Sequence, residues 1–130
     1  THVILASDRK DKALAYQLFS RAVRIDAGEN MKSSNDGIHA ASIAGIWQSV
    51  VYGFGGVRML HGKLRVCPAL PDSWHKLDFA IFWHGQRLHM VIDRNTLTIT
   101  NETGTEAVEV EVYGQNYQIR DSIHVEYAEL

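Results

Sequence analysis

Residues 33–58 read SSNDGIHAASIAGIWQSVVYGFGGVR, and the fold turns on how this stretch is understood. It opens with Ser33-Ser34-Asn35-Asp36-Gly37, polar and turn-forming. Asp36 is a good N-cap for a helix beginning near Gly37, with Ser34 the other candidate. From there to about Tyr52 almost every position is apolar or small, among them Ile38, Ala40, Ala41, Ile43, Ala44, Ile46, Trp47, Val50 and Val51. A helix with no polar face is a buried helix. Gly53-Phe54-Gly55-Gly56 is read as its break. His39 falls in the first turn, where unpaired N–H groups and the positive end of the helix dipole favour an anion.

Upstream of this stretch the period is helical. His2 to Ala6 reads as the end of a helix, and Ser7 to Asp11 as a polar break with Ser7 or Asp8 as the cap. From Lys12, the residues Leu14, Leu18, Ala22 and Ile25 share one face. Asp26 to Asn30 ends that helix, with Gly28 as a left-handed stop. These one or two helices are too few to cover the apolar helix that follows. The chain also begins apolar at once, with no Met. Both features fit a piece of a longer polypeptide.

Downstream the period changes to two. Val57–Leu60 and Lys63–Cys67 flank His61-Gly62, a hairpin signal. Leu77, Phe79, Ile81 and Trp83 alternate, and after a His84-Gly85-Gln86 turn so do Leu88, Met90 and Ile92. Leu97 and Ile99 follow, then a turn at Glu102–Thr105, then Val108, Val110 and Val112 between glutamates. Tyr113–Asn116 reads as a turn, and Tyr117–Ile119 and Ile123–Tyr127 close the series. About seven short strands with regular turns predict an antiparallel sandwich. The fold class is therefore α+β, helices followed by a small β-sandwich, dividing into residues 1–55 and 56–130.

Composition narrows the function. The chain has 130 residues, 45% hydrophobic, with a formal net charge of -2 and scattered Lys and Arg. That balance argues against nucleic acid or an anionic membrane as partner. No apolar run is long enough to span a bilayer. The single cysteine, Cys67, reads as a buried, reduced thiol of a cytoplasmic protein. Metal binding is not expected. His61, His75, His84, His89 and His124 have no zinc-ligand spacing, and two of them precede glycine at hairpin tips.

The run Asp36-Gly37-Ile38-His39 through Trp47, with Val50-Val51-Tyr52-Gly53-Phe54-Gly55-Gly56-Val57-Arg58, resembles the C-terminal region of glycoside hydrolase family 65 phosphorylases. These are the maltose, kojibiose, nigerose and trehalose enzymes. Pro68–Trp74 with Leu77-Asp78-Phe79 is similar to the family's link into its last domain, and Ala13–Phe19 with Arg21 and Arg24 resembles a barrel helix. The resemblance spans most of residues 1–90, while the last forty match in pattern only. It implies that the helices are the last of an (α/α)6 barrel and that the sandwich is the C-terminal domain.

The chemistry implied is inverting phosphorolysis of an α-glucosyl disaccharide. The general acid would be a glutamate upstream of this chain, so no catalytic residue is expected here; Glu29 does not match its motif. His39 is the family position with a match, lying against the bound phosphate. Ser33 and Ser34 are further candidate phosphate donors, though serines before a helix commonly cap it. Lys32 would contribute only if its loop folds over the pocket. No cofactor is implied, inorganic phosphate being a substrate. The partners implied are the upstream barrel of the same polypeptide, the disaccharide and a second copy in a homodimer.

Other readings remain at this point. A hydrolase of the same family would share the barrel. A carbohydrate-binding sandwich would expose aromatics, with Trp74 and Trp83 as candidates, although Trp83 has core parity. An oligomerisation module would self-associate through the apolar helix 38–52.

Overall fold

The computed structural model describes residues 1–27 and 40–128. Among the described residues three helices come first: α1 (His2–Asp8), α2 (Lys12–Ala27) and α3 (Ala40–Gln48), with α3 continuing into a π-helix (Ser49–Phe54). Eight strands follow: β1 (Val57–Leu60), β2 (Lys63–Val66), β3 (Lys76–Trp83), β4 (Gln86–Asp93), β5 (Thr96–Asn101), β6 (Val108–Val112), β7 (Gln115–Ile119) and β8 (Ser122–Glu126). The architecture is α+β, helices followed by a two-sheet sandwich, as read from the change of period.

The turn between α1 and α2 corrects the expected cap. Asp11, not Ser7 or Asp8, caps α2, its Oδ1 accepting from the Leu14 N–H at 3.0 Å. Asp11 N–H donates to the Ala6 carbonyl and Lys10 N–H to the Ser7 carbonyl, the paired closure of a Schellman motif. Lys10 therefore takes the left-handed position, at φ 60. Glycine is the usual residue there, and a side chain costs about 1 kcal/mol.

The buried side of α2 is also rotated from the expected face. Ala15 is buried, with Leu18 and Phe19 packed beside it, while Leu14 and Ile25 are 42% and 58% exposed. In α3 no residue is buried, and Ile43 and Trp47 stand about half exposed. The helix does not break at Gly53. It passes through as a π-helix, with the Gly55 N–H reaching the Val50 carbonyl at 2.8 Å, and ends at Gly55-Gly56. Unlike α3, this last stretch is covered, with Ser49, Val51, Gly53 and Phe54 all buried.

Eight strands replace the expected seven, in two sheets of order β1-β2-β6-β7 and β3-β4-β5-β8. Pairing is antiparallel with one exception, β2 with β6, which is parallel. The chain leaves the first sheet after β2, builds β3, β4 and β5 in the other, and returns at β6. That long crossover makes a parallel neighbour possible, where a tight hairpin cannot. Three hairpins turn on two left-handed residues each: His61-Gly62, His84-Gly85 and Tyr113-Gly114. This is the twist-matched turn of two-residue loops. The third is shorter than the expected Tyr113–Asn116 turn, so β7 starts at Gln115.

The core lies between the sheets. Leu88, Met90, Ile92, Leu97 and Ile99 from one sheet meet Leu64, Val66, Val110, Val112 and Ile119 from the other, all at most 1% exposed. Outward positions are polar: His89 Nε2 lies 2.6 Å from Asp78 Oδ1, and Thr98 Oγ1 2.9 Å from His124 Nδ1. Hydrogen bonds from His89 and then Lys76 hold the Asp78 carboxyl below its ordinary range. Cys67 is half-buried rather than buried.

Candidate functional site

His39, Ser33 and Ser34 lie outside the described residues, as do Lys32, Asp36 and Glu29. The structure instead describes α3 from Ala40 onward, and the means by which its far end is fixed. That end is held by rings, by a guanidinium and by a close backbone approach.

The rings come from three separate parts of the chain. Phe54, fully buried at the end of the π-helix, meets Phe19 of α2 edge-on at 5.4 Å and Trp74 of the β2–β3 connection at 4.9 Å. Phe19 and Trp74 meet each other at 5.6 Å. Such edge-to-face contacts add to the burial of large apolar rings. Trp74 therefore seals the sandwich against the helices. Trp83 packs partly buried against the core, its ring edge-on to His84.

The guanidinium is that of Arg58, on β1. Its Nη1 donates to the Tyr52 carbonyl of the π-helix and to the Val57 carbonyl at 2.8 Å, and its Nη2 is paired with Asp8 at the end of α1. A π-helix displaces carbonyls from the regular ladder, and Arg58 takes one of them. One side chain thus ties α1, the π-helix and the first sheet together.

The close approach is at Gly56, at φ 65. A Cβ there would lie 1.9 Å from the Cys67 carbonyl oxygen, so glycine is required by both conformation and space. The backbone is latched on either side: Cys67 N–H donates to the Gly56 carbonyl at 3.1 Å and Ala69 N–H to the Phe54 carbonyl at 2.8 Å. Nearby, the Tyr113 hydroxyl donates to the Pro68 carbonyl at 2.6 Å, and burial pushes its phenol well above the ordinary tyrosine range.

Among the described residues no group of three His, Cys, Asp or Glu is arranged to hold a metal ion. None of their helices is long and apolar enough to cross a membrane.

Comparison with known proteins gives the arrangement a family. Residues 1–48 match the model of the glycosyl hydrolase family 65 central catalytic domain, and residues 57–119 that of the glycosyl hydrolase family 65 C-terminal domain. The chain belongs to glycosyl hydrolase family 65. It is 37% identical over 125 residues to a kojibiose phosphorylase of Halothermothrix orenii, which covers 93% of this chain and 16% of that protein. It is 28% identical over 116 residues to an alpha,alpha-trehalose phosphorylase of Geobacillus stearothermophilus, covering 89% of this chain and 15% of the relative. A solved structure from the human microbiome, provisionally named a kojibiose phosphorylase, superposes with a TM-score of 0.88 at 30% identity. That match covers 96% of this chain and 17% of the solved one. The chain thus spans about a sixth of the length of these family 65 relatives.

The family is legible in residues 36–58 and their neighbours on either side, but the anchors are not: Asp8 reads as a cap candidate beside Ser7, and Arg58 only as the end of a motif. Nothing in sequence pairs positions fifty residues apart. The signal that was available for Asp11 is its spacing to Leu14, three residues on, at the start of the helical period.

Proposed function

We propose that this chain is the C-terminal part of an inverting disaccharide phosphorylase. Residues 1–55 would be the last helices of an (α/α)6 catalytic barrel and residues 56–130 its C-terminal sandwich. The observation that carries the reading is the match in order to two domains of one family, with relatives that are phosphorylases by name. The exposed Leu14, Ile25, Ile43 and Trp47 support it, because a surrounding barrel would cover them.

In this reading a glutamic acid upstream protonates the glycosidic oxygen while phosphate attacks the anomeric carbon from the opposite face. The α-glucosyl disaccharide and phosphate become β-glucose 1-phosphate and the released sugar. His39 stands at the helix start against the phosphate. A protonated ring and helix N–H groups there donate to the same anion, so phosphate binding draws the imidazole toward its charged form. Ser33 and Ser34 supply neutral donors. Phosphate is a substrate, no cofactor takes part, and the full polypeptide works in the cytoplasm as a homodimer.

The test is made on the full polypeptide with kojibiose, trehalose or maltose. A charge-assisted hydrogen bond is worth about 1.5–3 kcal/mol, so His39→Ala raises the phosphate KM by roughly 10- to 100-fold and leaves the disaccharide KM nearly unchanged. Glucose release that is independent of phosphate would replace phosphorolysis by hydrolysis. Turnover by the 130-residue chain alone would remove the need for an upstream acid. The sugar-binding sandwich is less favoured, since the two tryptophans it would use, Trp74 and Trp83, are partly buried against the core, while Phe82 stands well exposed on β3.

A further inference from the structure

The outer face of the β3-β4-β5-β8 sheet is laid out in rows by its register. Ile81, Leu88 and Met90 are buried between the sheets, so by alternation Asp78, Ala80 and Phe82 of β3 and Arg87 and His89 of β4 stand on the opposite side. Phe82 lies opposite Arg87 and Ala80 opposite His89. Side chains so opposed have Cβ atoms about 5 Å apart. Glu102, just beyond β5, extends the row of Phe82 and Arg87. Its N–H donates to the Arg87 carbonyl at 2.9 Å, and its carboxylate is paired with the Arg87 guanidinium. The same carboxylate lies 3.4 Å from His89 Nδ1, while Asp78 lies 2.6 Å from His89 Nε2 and 3.1 Å from Lys76 Nζ. A continuous chain of contacts thus runs from Arg87, beside Phe82, through Glu102, His89 and Asp78 to Lys76.

Among the described residues Phe82 is the most exposed large apolar side chain, at 69%. A single exposed phenylalanine is ordinary on a protein surface. Its setting is not. The loop that carries Glu102 is fixed from beneath by two amides, Gln86 and Asn101, each 5% exposed. Gln86 Nε2 donates to Thr105 Oγ1 at 2.8 Å, and its Oε1 accepts from the Thr105 N–H at 3.3 Å. Asn101 Oδ1 accepts from the Gly104 N–H at 3.0 Å, and its Nδ2 donates to the Glu106 carbonyl at 2.9 Å. A loop held this way has little freedom left to lose when a ligand binds beside it.

The charges of this face answer one another, Arg87 with Glu102 and Lys76 with Asp78, with His89 between the two carboxylates. A polyanion would have to displace both carboxylates to reach the cations, whereas a neutral partner leaves every pair intact. Carboxylate, imidazole and guanidinium groups side by side offer the mixed donors and acceptors that a row of hydroxyls needs. The bare Phe82 ring suits the C–H face of a pyranose. Between Phe82 and Asp78, about 13 Å apart along the strand, the side chain on this face is that of Ala80, which leaves a step beside the ring.

We propose that this face binds a neutral oligosaccharide, the Phe82 ring against one pyranose and Arg87, Glu102 and His89 bonded to its hydroxyls. It is an accessory surface. None of its residues is Ser33, Ser34 or His39, so the inference stands whether or not phosphorolysis does.

The experiment is native affinity electrophoresis of the full polypeptide in gels containing soluble starch, dextran or hydroxyethyl cellulose, for the unaltered protein and for Phe82→Ala, Phe82→Tyr, Glu102→Gln and His39→Ala. At least one glycan retards the unaltered protein. Phe82→Ala raises the apparent Kd for that glycan by roughly tenfold, and Glu102→Gln weakens it by a smaller factor. Phe82→Tyr, which keeps a ring, and His39→Ala, which is remote from this face, both stay retarded. The Phe82 ring is mostly in solvent, so the melting temperature of Phe82→Ala is unchanged and lost binding is not lost folding. Absence of retardation by all three glycans, retardation indifferent to Phe82→Ala, or retardation abolished by His39→Ala would overturn the proposal. Loss of binding in Phe82→Tyr would overturn the role of the ring.

Discussion

Gly56 and Gly62 make a matched pair, because both are left-handed, at φ 65 and 72, and only one is crowded. Alanine at either position incurs the strain of a side chain in that region, about 1–2 kcal/mol. At Gly62 an added Cβ meets nothing within 4 Å, so the strain is the whole effect. At Gly56 it meets the Cys67 oxygen at 1.9 Å and the Cys67 carbonyl carbon at 2.2 Å. Clearing that oxygen to an ordinary carbon–oxygen contact of about 3.3 Å moves one backbone past the other by roughly 1.4 Å. The bonds from Cys67 N–H to Gly56 and from Ala69 N–H to Phe54 cannot both survive such a shift. Their loss adds about 1 kcal/mol each, and more where the groups stay buried. Gly56→Ala should therefore cost roughly 3–5 kcal/mol against about 1–2 for Gly62→Ala. Urea unfolding of the two variants checks this. With a slope of about 1–3 kcal/mol per molar, the Gly56→Ala midpoint falls by one to several molar and the Gly62→Ala midpoint by clearly less. Equal shifts would show that the approach of Cys67 to Gly56 does not constrain the junction.

Two further outcomes follow from neighbouring groups. Arg58→Met loses the Tyr52 and Val57 bonds together with the Asp8 pair and should cost about 2–3 kcal/mol, whereas Asp8→Asn, at a carboxylate that is 54% exposed, should cost under about 1 kcal/mol; thermal melts of the two variants compare them, and similar losses would mean that the carbonyl contacts carry nothing. Tyr113 ionises near 10.0 when unfolded and higher when folded, so its neutral phenol is fully retained below pH 10 and the folded state loses stability as pH climbs above that value. Tyr113→Phe, lacking the Pro68 bond, should be about 1 kcal/mol less stable at pH 7 and should show a flatter decline between pH 10 and 11.5, measured as urea midpoints; an unchanged slope would place the phenol in contact with solvent.

The elements that sequence reveals well here are those set by neighbours along the chain. His61-Gly62 was legible because two residues between alternating runs leave little choice of turn, whereas Gln86, expected in the turn with His84-Gly85, is the first residue of β4. The alternation from Leu77 to Ile99 fixed the inward face: Ile81, Leu88, Met90, Ile92, Leu97 and Ile99 are core, and Leu77, Phe79 and Trp83 pack partly buried against it. Local ambiguity and tertiary pairing account for the misses. Ser7, Asp8 and Asp11 are all competent caps in a short run, and only the packing of α1 decides among them. The parallel β2–β6 pair depends on where the second sheet returns the chain. The π-helix is six residues long, too short to show its wider i→i+5 period in the sequence, and Gly53 reads as a stop. Of the candidate site, the chemistry expected of Ser33, Ser34 and His39 came from the family resemblance and the helix start, and these residues lie outside the described part of the structure. Lys10, Arg94, Tyr113 and Tyr127, far apart in sequence, line one cavity that only the fold brings together.

The anchorage at Phe54 gives the sandwich a physical role toward the helix that precedes it. From Ala40 to Phe54 the helix and its π continuation extend about 20 Å. α3 has no buried residue in this chain, so within it the orientation of the helix is set chiefly at its last turns. There the Phe54 ring is caught between Phe19 and Trp74, the Tyr52 carbonyl by Arg58 and the Phe54 carbonyl by Ala69. Two of these three catches come from strand β1 or the segment leaving β2, and the third is shared between α2 and that same segment. A tilt of only about 5° at such a base moves the other end of a 20 Å lever by nearly 2 Å. Where a substrate must be held for reaction, an error of about 1 Å can lower the rate by roughly a hundredfold. Under the proposed function, the sandwich would act on the reaction through the stiffness of a three-ring contact and one arginine at the far end of the helix.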